Sequence, residues 1–250
     1  MCCPIEIKSS RHLVLIAGAL LIMGFLSGPC FAQFKFSGGV GMGTYAMTDL
    51  KNYNESIKTT LPVASQTISD FPPYATYEAN LQYKIHRLHF GAYWSYNSTG
   101  SRLSYEDYSG TLWYNQKALS NQYGITLGYL LTQKEGPWEV TPSVRLGLIS
   151  TNYRLNNYLQ VTGSPALNEI FNFTSNSYMI SPGIATTRVL NPRIALSFDL
   201  RYLHDFQKSL VSTSTPLSYL YGINGNHLSA NWGGIRLTLS VEVRFPGKKS

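Results

Sequence analysis

The sequence predicts one all-β domain, an eight-stranded antiparallel up-and-down β-barrel that crosses a membrane. The stretch 233–245 alternates apolar and largely polar residues without a break and is about twice as long as a usual globular strand. A strand of that length suits a tilted crossing of a bilayer better than a sheet edge in water. The connections between the predicted strands also alternate between long and short, which is typical of membrane barrels.

Residues 1–32 predict an export signal that is cleaved before Gln33, leaving a barrel domain over 33–250. Lys8 and Arg11 precede an apolar run from Leu13 to Phe25, and a small residue, Ala32, ends the segment. The alternative is an N-terminal membrane anchor, but the apolar run of about 13 residues is short for a span. All three cysteines fall inside the signal, which excludes disulfides and thiolate metal sites from the predicted mature chain.

The composition narrows the function classes. The net charge of +7 is modest and scattered, and the only basic run is Lys248-Lys249, so nucleic-acid binding has little support. The 18 tyrosines and four tryptophans suit a large β protein, whether soluble or in a membrane. Alternation and loop lengths decide between those two environments.

The first predicted strand, 35–47, is rich in glycine. Glycine at this density suits a tightly curved barrel wall, where it makes room for neighbouring side chains. It does not indicate a phosphate loop, because no Gly-Lys-Ser or Gly-Lys-Thr follows. In the long connection 48–73, Leu50, Tyr53, Ile57 and Leu61 have near-helical spacing behind a Thr48 cap, which predicts a short surface helix.

The remaining strands are predicted from the same alternation and from turn signals. Short turns at 86–87, 134–137 and 191–192 join the predicted strands 74–85 to 88–97, 121–131 to 138–153, and 176–189 to 193–206. The stretch 98–120 is predicted as strand extensions around a loop at 106–110. Long loops are predicted at 48–73, 98–120, 154–175 and 207–226. Several aromatic side chains fall near predicted strand ends, as interfacial girdles require: Tyr83, Trp94, Tyr96, Trp138 and Tyr202.

In these features the mature chain resembles small eight-stranded outer-membrane β-barrel proteins of Gram-negative bacteria, of the OmpA/OmpX type. The resemblance rests on the signal, the Gly-rich strand running into Gly43-Thr44-Tyr45, the loop asymmetry and the alternation ending at Phe245. It implies the cell outer membrane as location, with the long loops external. It also implies contact with outer-membrane lipids and lipopolysaccharide, and recognition of 233–245 by the insertion machinery. That recognition signal usually ends at the aromatic residue, whereas 246–250 follow here.

Inward-facing charged residues are the predicted site. An eight-stranded barrel is only wide enough inside for its own side chains, so we expect these charges to pair and fill the lumen. A narrow porin-like channel for small solutes is the alternative interpretation. A soluble lipocalin-type barrel would not need charges at alternate inward positions. The predicted lumen network consists of Glu78, Lys84, Glu139, Arg145, Asp199, Arg201, Arg236, Glu242 and Arg244.

No catalytic, cofactor or metal site is predicted. The histidines have no metal-ligand spacing. His227-Leu228-Ser229 matches the short His-x-Ser pattern of barrels that resemble lipid A deacylases, so a lipid A-modifying enzyme is a further alternative. Glu242 lies roughly 40 Å along the strand from Ser229, which leaves Asp205, beside His204, as the one carboxylate expected within reach. We expect no enzyme activity, and a structural or surface-interaction role through the external loops.

Overall fold

A computed structural model describes residues 33–60, 66–108, 110–132, 136–215 and 218–245. The predicted signal 1–32, the tail 246–250 and part of the turn at 134–137 lie outside this range. The described elements are β1 (Gln33–Gly43), α1 (Thr48–Thr60), β2 (Gln66–Asp70), β3 (Tyr74–Ile85), β4 (Leu88–Asp107), β5 (Gly110–Tyr129), β6 (Trp138–Val161), β7 (Leu167–Val189), β8 (Ile194–Asp205), β9 (Val211–Ser212) and β10 (Gly234–Phe245). No helix in this part of the chain combines the length and apolarity that a bilayer crossing requires.

Eight of the strands close into a ring. Sequence neighbours among β3 to β8 pair antiparallel, β8 pairs with β10, and β1 closes the ring between β10 and β3. At the closure Phe34 lies opposite Phe245 on one side and Tyr83 on the other. The short strand β2 adds to β4, and β9 adds to β7, without entering the ring. The predicted eight-stranded up-and-down barrel is confirmed.

The outer face of the ring is apolar and the inner face is polar. Along β10, Leu237, Leu239 and Val241 are 43%, 57% and 49% exposed, whereas Thr238 and Ser240 between them are buried. A continuous exposed belt of large apolar side chains is stable when it contacts lipid. A soluble barrel has the opposite arrangement, with polar residues outside and apolar residues inside. The alternation of apolar and polar residues along each strand therefore corresponds to lipid on the outer side and a polar lumen on the inner side.

One predicted loop is wrong, because the strands continue through it. The predicted loop 154–175 belongs mostly to β6, which ends at Val161, and to β7, which begins at Leu167. By contrast, the predicted strand extensions over 98–120 and their tip at 106–110 are confirmed, because β4 runs to Asp107 and β5 begins at Gly110. Beyond the bilayer the outward face no longer has to be apolar, so the hydropathy alternation fades although the ladder continues.

The aromatic girdle marks where the bilayer ends within these long strands. Trp94 and Tyr123 are exposed cross-strand partners partway along β4 and β5, and Tyr178 is exposed on β7. The outward positions that follow them, such as Asn121 and Asn176, are polar. The girdle residue Trp94 therefore lies mid-strand, and β4 to β7 continue past it as a four-stranded wall outside the membrane.

The predicted helix over the first connection is confirmed as α1, but only part of it is a surface helix. Leu50 and Asn54 are fully buried, since α1 lies across the outer mouth of the barrel. The first strand is shorter than predicted and ends at Gly43. The backbone after it stays bonded to the segment before β10, with Thr44 N–H donating to Ile235 O at 2.9 Å and Ala46 N–H to Gly233 O at 2.9 Å.

Glycines give room to large inward side chains. A Cβ at Gly183 would lie 2.3 Å from Cγ of Arg201, and a Cβ at Gly43 would lie 2.7 Å from Cδ of Arg236. Contacts this short require atoms to move, so alanine at either position would displace the arginine. The glycines set where the lumen can accommodate a guanidinium group.

Candidate functional sites in the barrel interior and at its outer end

The innermost layer of the lumen is an ion-pair cluster near the short turns. Arg244 donates two hydrogen bonds to the Glu139 carboxylate, at 3.0 and 2.8 Å, and lies 3.0 Å from Glu242. Lys84 Nζ lies 3.8 Å from Glu139. Four of the predicted lumen residues, from β3, β6 and β10, therefore meet in one cluster.

Lys35 on β1 completes this inner layer and was absent from the predicted set. Its Nζ lies 3.5 Å from Glu242 and 3.8 Å from Glu139, and its side chain is buried. The inward position of Lys35 could have been predicted from the sequence. Lys35, Ser37 and Gly39 alternate along β1 with Phe34 and Phe36, so they lie on the other face of the strand. The four glycines between Gly38 and Gly43 leave Lys35 as the one inward charged residue on this strand.

A second, neutral cluster fills the middle of the lumen. Arg145 lies 2.9 Å from Glu78 and 3.5 Å from Asp199, and Arg201 Nε donates to Asp199 at 2.8 Å. The Arg145 guanidinium also covers the Tyr93 ring, 4.9 Å from its centroid. Two cations thus face two carboxylates, and the cavity among these clusters has a volume of about 40 Å³, room for about one water molecule.

Arg236 is the member of the predicted set that does not join an ion pair. Among the described residues no carboxylate lies within ion-pair distance of its guanidinium. It donates to the carbonyl oxygens of Trp232, at 2.7 Å, and of Thr44, and it stacks 4.5 Å above the Tyr45 ring. Backbone acceptors and an aromatic face therefore take the place of a carboxylate at this height in the barrel.

Above Arg236 the outer half of the lumen is filled by an apolar core. Trp232 is completely buried, packs edge-on against Tyr45 with ring centroids 5.1 Å apart, and donates from Nε1 to Thr151 Oγ1 at 2.9 Å. Side chains from α1, the wall and the 206–233 segment close the core. They include Tyr45, Met47, Leu50, Phe71, Ile149, Tyr153, Leu203, Leu210, Leu220 and Leu228.

Polar contacts hold α1 onto this core. Asn54 Nδ2 donates to Asp70 Oδ1 at 3.0 Å and to Ser101 Oγ at 2.8 Å, and its Oδ1 accepts from Gln116. Tyr53 and Tyr114 share a hydrogen bond of 2.9 Å between their hydroxyl groups. Burial, followed by this contact with Tyr53, raises the pKa of Tyr114, so the phenol stays neutral. The helix is fixed by these hydrogen bonds above an apolar face, and Gln116 Oε1 is the buried acceptor of the group that has no partner.

The residues of the His-x-Ser pattern do not come together as a catalytic group. Ser229 Oγ lies 2.6 Å from Asp49 Oδ2, so the carboxylate that reaches it belongs to α1, and the expectation that only Asp205 could do so is wrong. Asp205 instead accepts from Ser177 Oγ at 2.6 Å and Trp232 N–H at 3.0 Å. His227 is exposed and stacks on Tyr219 with centroids 4.3 Å apart.

His204 is likewise separate from Ser229. It is exposed on β8 and packs edge-on against Phe206. Within the described ranges, no group of three or more His, Cys, Asp or Glu side chains is arranged to hold a metal ion. The sequence pattern placed histidine, serine and a carboxylate at the same end of the barrel, but long-range packing decided which carboxylate met the serine.

The closed ring, the apolar belt and the polar lumen define the class of protein: the chain is an eight-stranded β-barrel of the outer membrane. No protein-family model and no curated protein matches the sequence.

Three solved structures illustrate the likeness in fold. Neisserial surface protein A is 12% identical with a TM-score of 0.40, over 86% of this chain and 99% of that one. A major outer membrane protein from Thermus thermophilus is 13% identical with a TM-score of 0.44, over 86% and 99%. The outer membrane protein OprG from Pseudomonas aeruginosa is 7% identical with a TM-score of 0.46, over 88% and 99%.

Proposed function

We propose that the protein is a closed, non-catalytic outer-membrane barrel that presents an interaction surface outside the cell. The observation that carries this proposal is that both halves of the lumen are filled, by ion pairs below and by an apolar core with α1 above. Meanwhile β4 to β7 extend as a wall past the girdle. The barrel then serves as an anchor, and its outer end carries the contacts.

The alternative of a narrow channel is tested by conductance. Purified full-length protein in a planar bilayer is expected to show no single-channel steps, because an apolar core fills the outer half of the lumen and the cavity among the ion pairs is only about 40 Å³. Electrophoresis provides the check that the barrel is folded, since the unboiled sample is then expected to migrate faster than the boiled one. Regular conductance steps from protein that passes this folding check would overturn the proposal and favour the porin-like interpretation.

The alternative of a lipid A-modifying enzyme is supported less well by the geometry. Ser229 is engaged by Asp49, whereas His227 stacks between tyrosine rings in solvent. A nucleophile and its base must lie within hydrogen-bond reach, and this pair shows no such contact in the described structure. A change in lipid A mass that depends on His227 and Ser229 would contradict this part of the proposal.

Lipopolysaccharide phosphate is the partner that the outer wall favours. Lys117 and Arg154 lie directly opposite each other on the outward faces of β5 and β6, both exposed. Like charges at opposed positions destabilise a sheet by themselves, and neither side chain forms an ion pair with any described residue. A bound phosphate would offset that repulsion with charge-assisted hydrogen bonds.

The double variant Lys117→Gln with Arg154→Gln tests this contact. We expect it to retain several-fold less lipopolysaccharide through purification, since each solvent-exposed charge pair contributes about 0.2–1 kcal/mol. Arg188→Gln is the matched control, because Arg188 is also exposed but lies toward the short-turn end of β7, over Trp138. Equal retention by the double variant and the wild type would remove lipopolysaccharide phosphate from the proposal.

A further inference from the structure

An apolar pocket lies on the concave face of the wall, above the core and beside α1. Its volume is about 220 Å³, and Ile57 of α1 forms one side. The other lining residues come from all four long strands: Leu103, Ser104, Leu112, Tyr114, Asn157, Leu159, Leu167 and Glu169. The pocket is outside the bilayer, since β4 and β5 have passed the girdle at Trp94 and Tyr123 before they reach it.

The strand register arranges the lining in two rows. Leu112 lies opposite Leu159, which lies opposite Leu167, so one row is entirely aliphatic. In the next row toward the membrane, Tyr114 lies opposite Asn157, and Asn157 lies opposite Glu169. An aliphatic row beside a polar row suits a ligand with an apolar body and a polar head.

The polar row presents hydrogen-bond acceptors that have no donor. Asn157 lines the pocket, and its Oδ1 is buried without a hydrogen-bond partner in the described structure. A buried acceptor without a partner is costly, so a ligand that donates to it gains free energy.

Glu169 adds a negative charge at the rim of the same row. It is exposed and forms no ion pair with the described residues. A neutral acceptor and a carboxylate on neighbouring strands both call for N–H donors, and together they favour a protonated amine over an alcohol or a carboxylate. The site is thus complementary in shape to an apolar chain and in charge to a cation.

We propose that this pocket binds a small amphipathic cation, with an aliphatic body against Leu112, Leu159 and Leu167 and a primary ammonium group at Asn157 Oδ1 and Glu169. At about 30 Å³ per water-sized group, the volume accommodates about seven non-hydrogen atoms, the size of hexylammonium. The inference rests on the proposed function, since it names the ligand chemistry of the outer interaction surface.

Binding of hexylammonium, hexanol and hexanoate to full-length protein in lipid nanodiscs tests the proposal. Saturation-transfer NMR measures each ligand, and empty nanodiscs give the background from partitioning into lipid. We expect hexylammonium to bind with a dissociation constant on the order of millimolar, hexanol more weakly and hexanoate weakest. Equal signals for the three ligands, or no signal above empty nanodiscs, would overturn the assignment.

Glu169→Gln separates charge recognition from apolar binding. We expect it to weaken hexylammonium binding by about threefold to fivefold, as for an exposed ion pair, and to leave hexanol binding unchanged. Glu106→Gln is the matched control, because Glu106 is also an exposed carboxylate of the wall but lies on the outward face of the β4–β5 hairpin, away from the pocket. Leu159→Asn should abolish binding of both ligands while the heat-dependent mobility shift persists.

These outcomes are distinct from a failure of the proposed function. If Glu169→Gln and Glu106→Gln behave alike, the cation site is wrong, whatever the bilayer conductance shows. Conversely, conductance steps would contradict the closed barrel and leave a measured preference for hexylammonium in place.

Discussion

The two halves of the barrel interior are filled in different ways. Below, five charged side chains from β1, β3, β6 and β10 and four from the middle layer exclude solvent by pairing. Above, Trp232 and its neighbours pack as in the core of a soluble protein, with α1 as a lid held by Asn54. The inner half depends on charge balance, and the outer half depends on apolar burial and a few buried hydrogen bonds.

The difference shows how one wall can enclose two environments. In the inner half the inward residues that the structure describes all belong to the barrel strands, and no described segment outside the ring brings apolar groups to bury there. In the outer half the chain returns twice, through α1 and through the segment 206–233, and both passages bring apolar side chains such as Leu50 and Leu228. Removing a buried partner in the inner half should therefore destabilise the whole barrel. Removing one in the outer half should loosen only the local packing.

Arg145→Met gives the largest expected effect. Glu78, with a side chain only 6% exposed, would lose its ion-pair partner, and an uncompensated buried charge costs about 3–5 kcal/mol. We expect the midpoint of denaturant-induced unfolding in lipid vesicles to fall accordingly, with the loss shared by the whole barrel.

The paired variant Arg145→Met with Glu78→Gln serves as its control. Because Asp199 keeps Arg201 as a partner, neutralising Glu78 as well should restore most of the lost stability. If the double variant is as unstable as the single one, the cost arises from lost packing on Tyr93 and the role assigned to charge balance is wrong.

Asn54→Ala should have a smaller and local effect. It leaves the Gln116 amide and the Asp70 carboxylate short of a partner, at a cost of about 1–3 kcal/mol confined to the seating of α1. Trypsin cleavage at Lys51 and Lys58, both on α1, should accelerate by roughly tenfold for each 1.4 kcal/mol, while the barrel keeps its mobility shift.

Ser56→Ala is the matched control in the same helix, because the Ser56 hydroxyl bonds only within α1, to Asn52 O at 2.9 Å. Its cleavage rate should equal that of the wild type. A drop in the unfolding midpoint of the whole barrel for Asn54→Ala would show that the two halves are not independent.

The number and order of the strands, and the face on which each side chain lies, could be predicted from the sequence wherever contact with lipid requires apolar and polar residues to alternate. The predicted strand 74–85 coincides with β3, and 233–245 differs from β10 by one residue. For β6 and β7 the prediction stopped near the girdle, at residues 153 and 176, since beyond it a residue such as Asn176 is as acceptable on the outward face as leucine. Contact with lipid requires apolar side chains on the outward face, and the apolar–polar alternation therefore ends where the strand leaves the bilayer.

The site was predicted in part for a related reason. Charges in a lipid-facing wall must point inward, so Glu78, Arg145 and Arg244 could be assigned to the lumen one strand at a time. Which carboxylate meets Ser229, and which groups receive Arg236, depends on α1 and the 206–233 segment folding over the mouth. Contacts between segments so far apart in sequence have no periodic signature in a single chain.

The one-sided wall makes the molecule lopsided. From Asn121 to Gly110, β5 continues for roughly 40 Å beyond the bilayer edge, whereas β8 and β10 have no comparable continuation. Among the described strands the rim is lower where β8, β10, β1 and β3 end, so a large ligand would meet less of the wall on that side. The wall of β4 to β7 shields the mouth on one side, so a ligand that binds its concave face approaches from the opposite side.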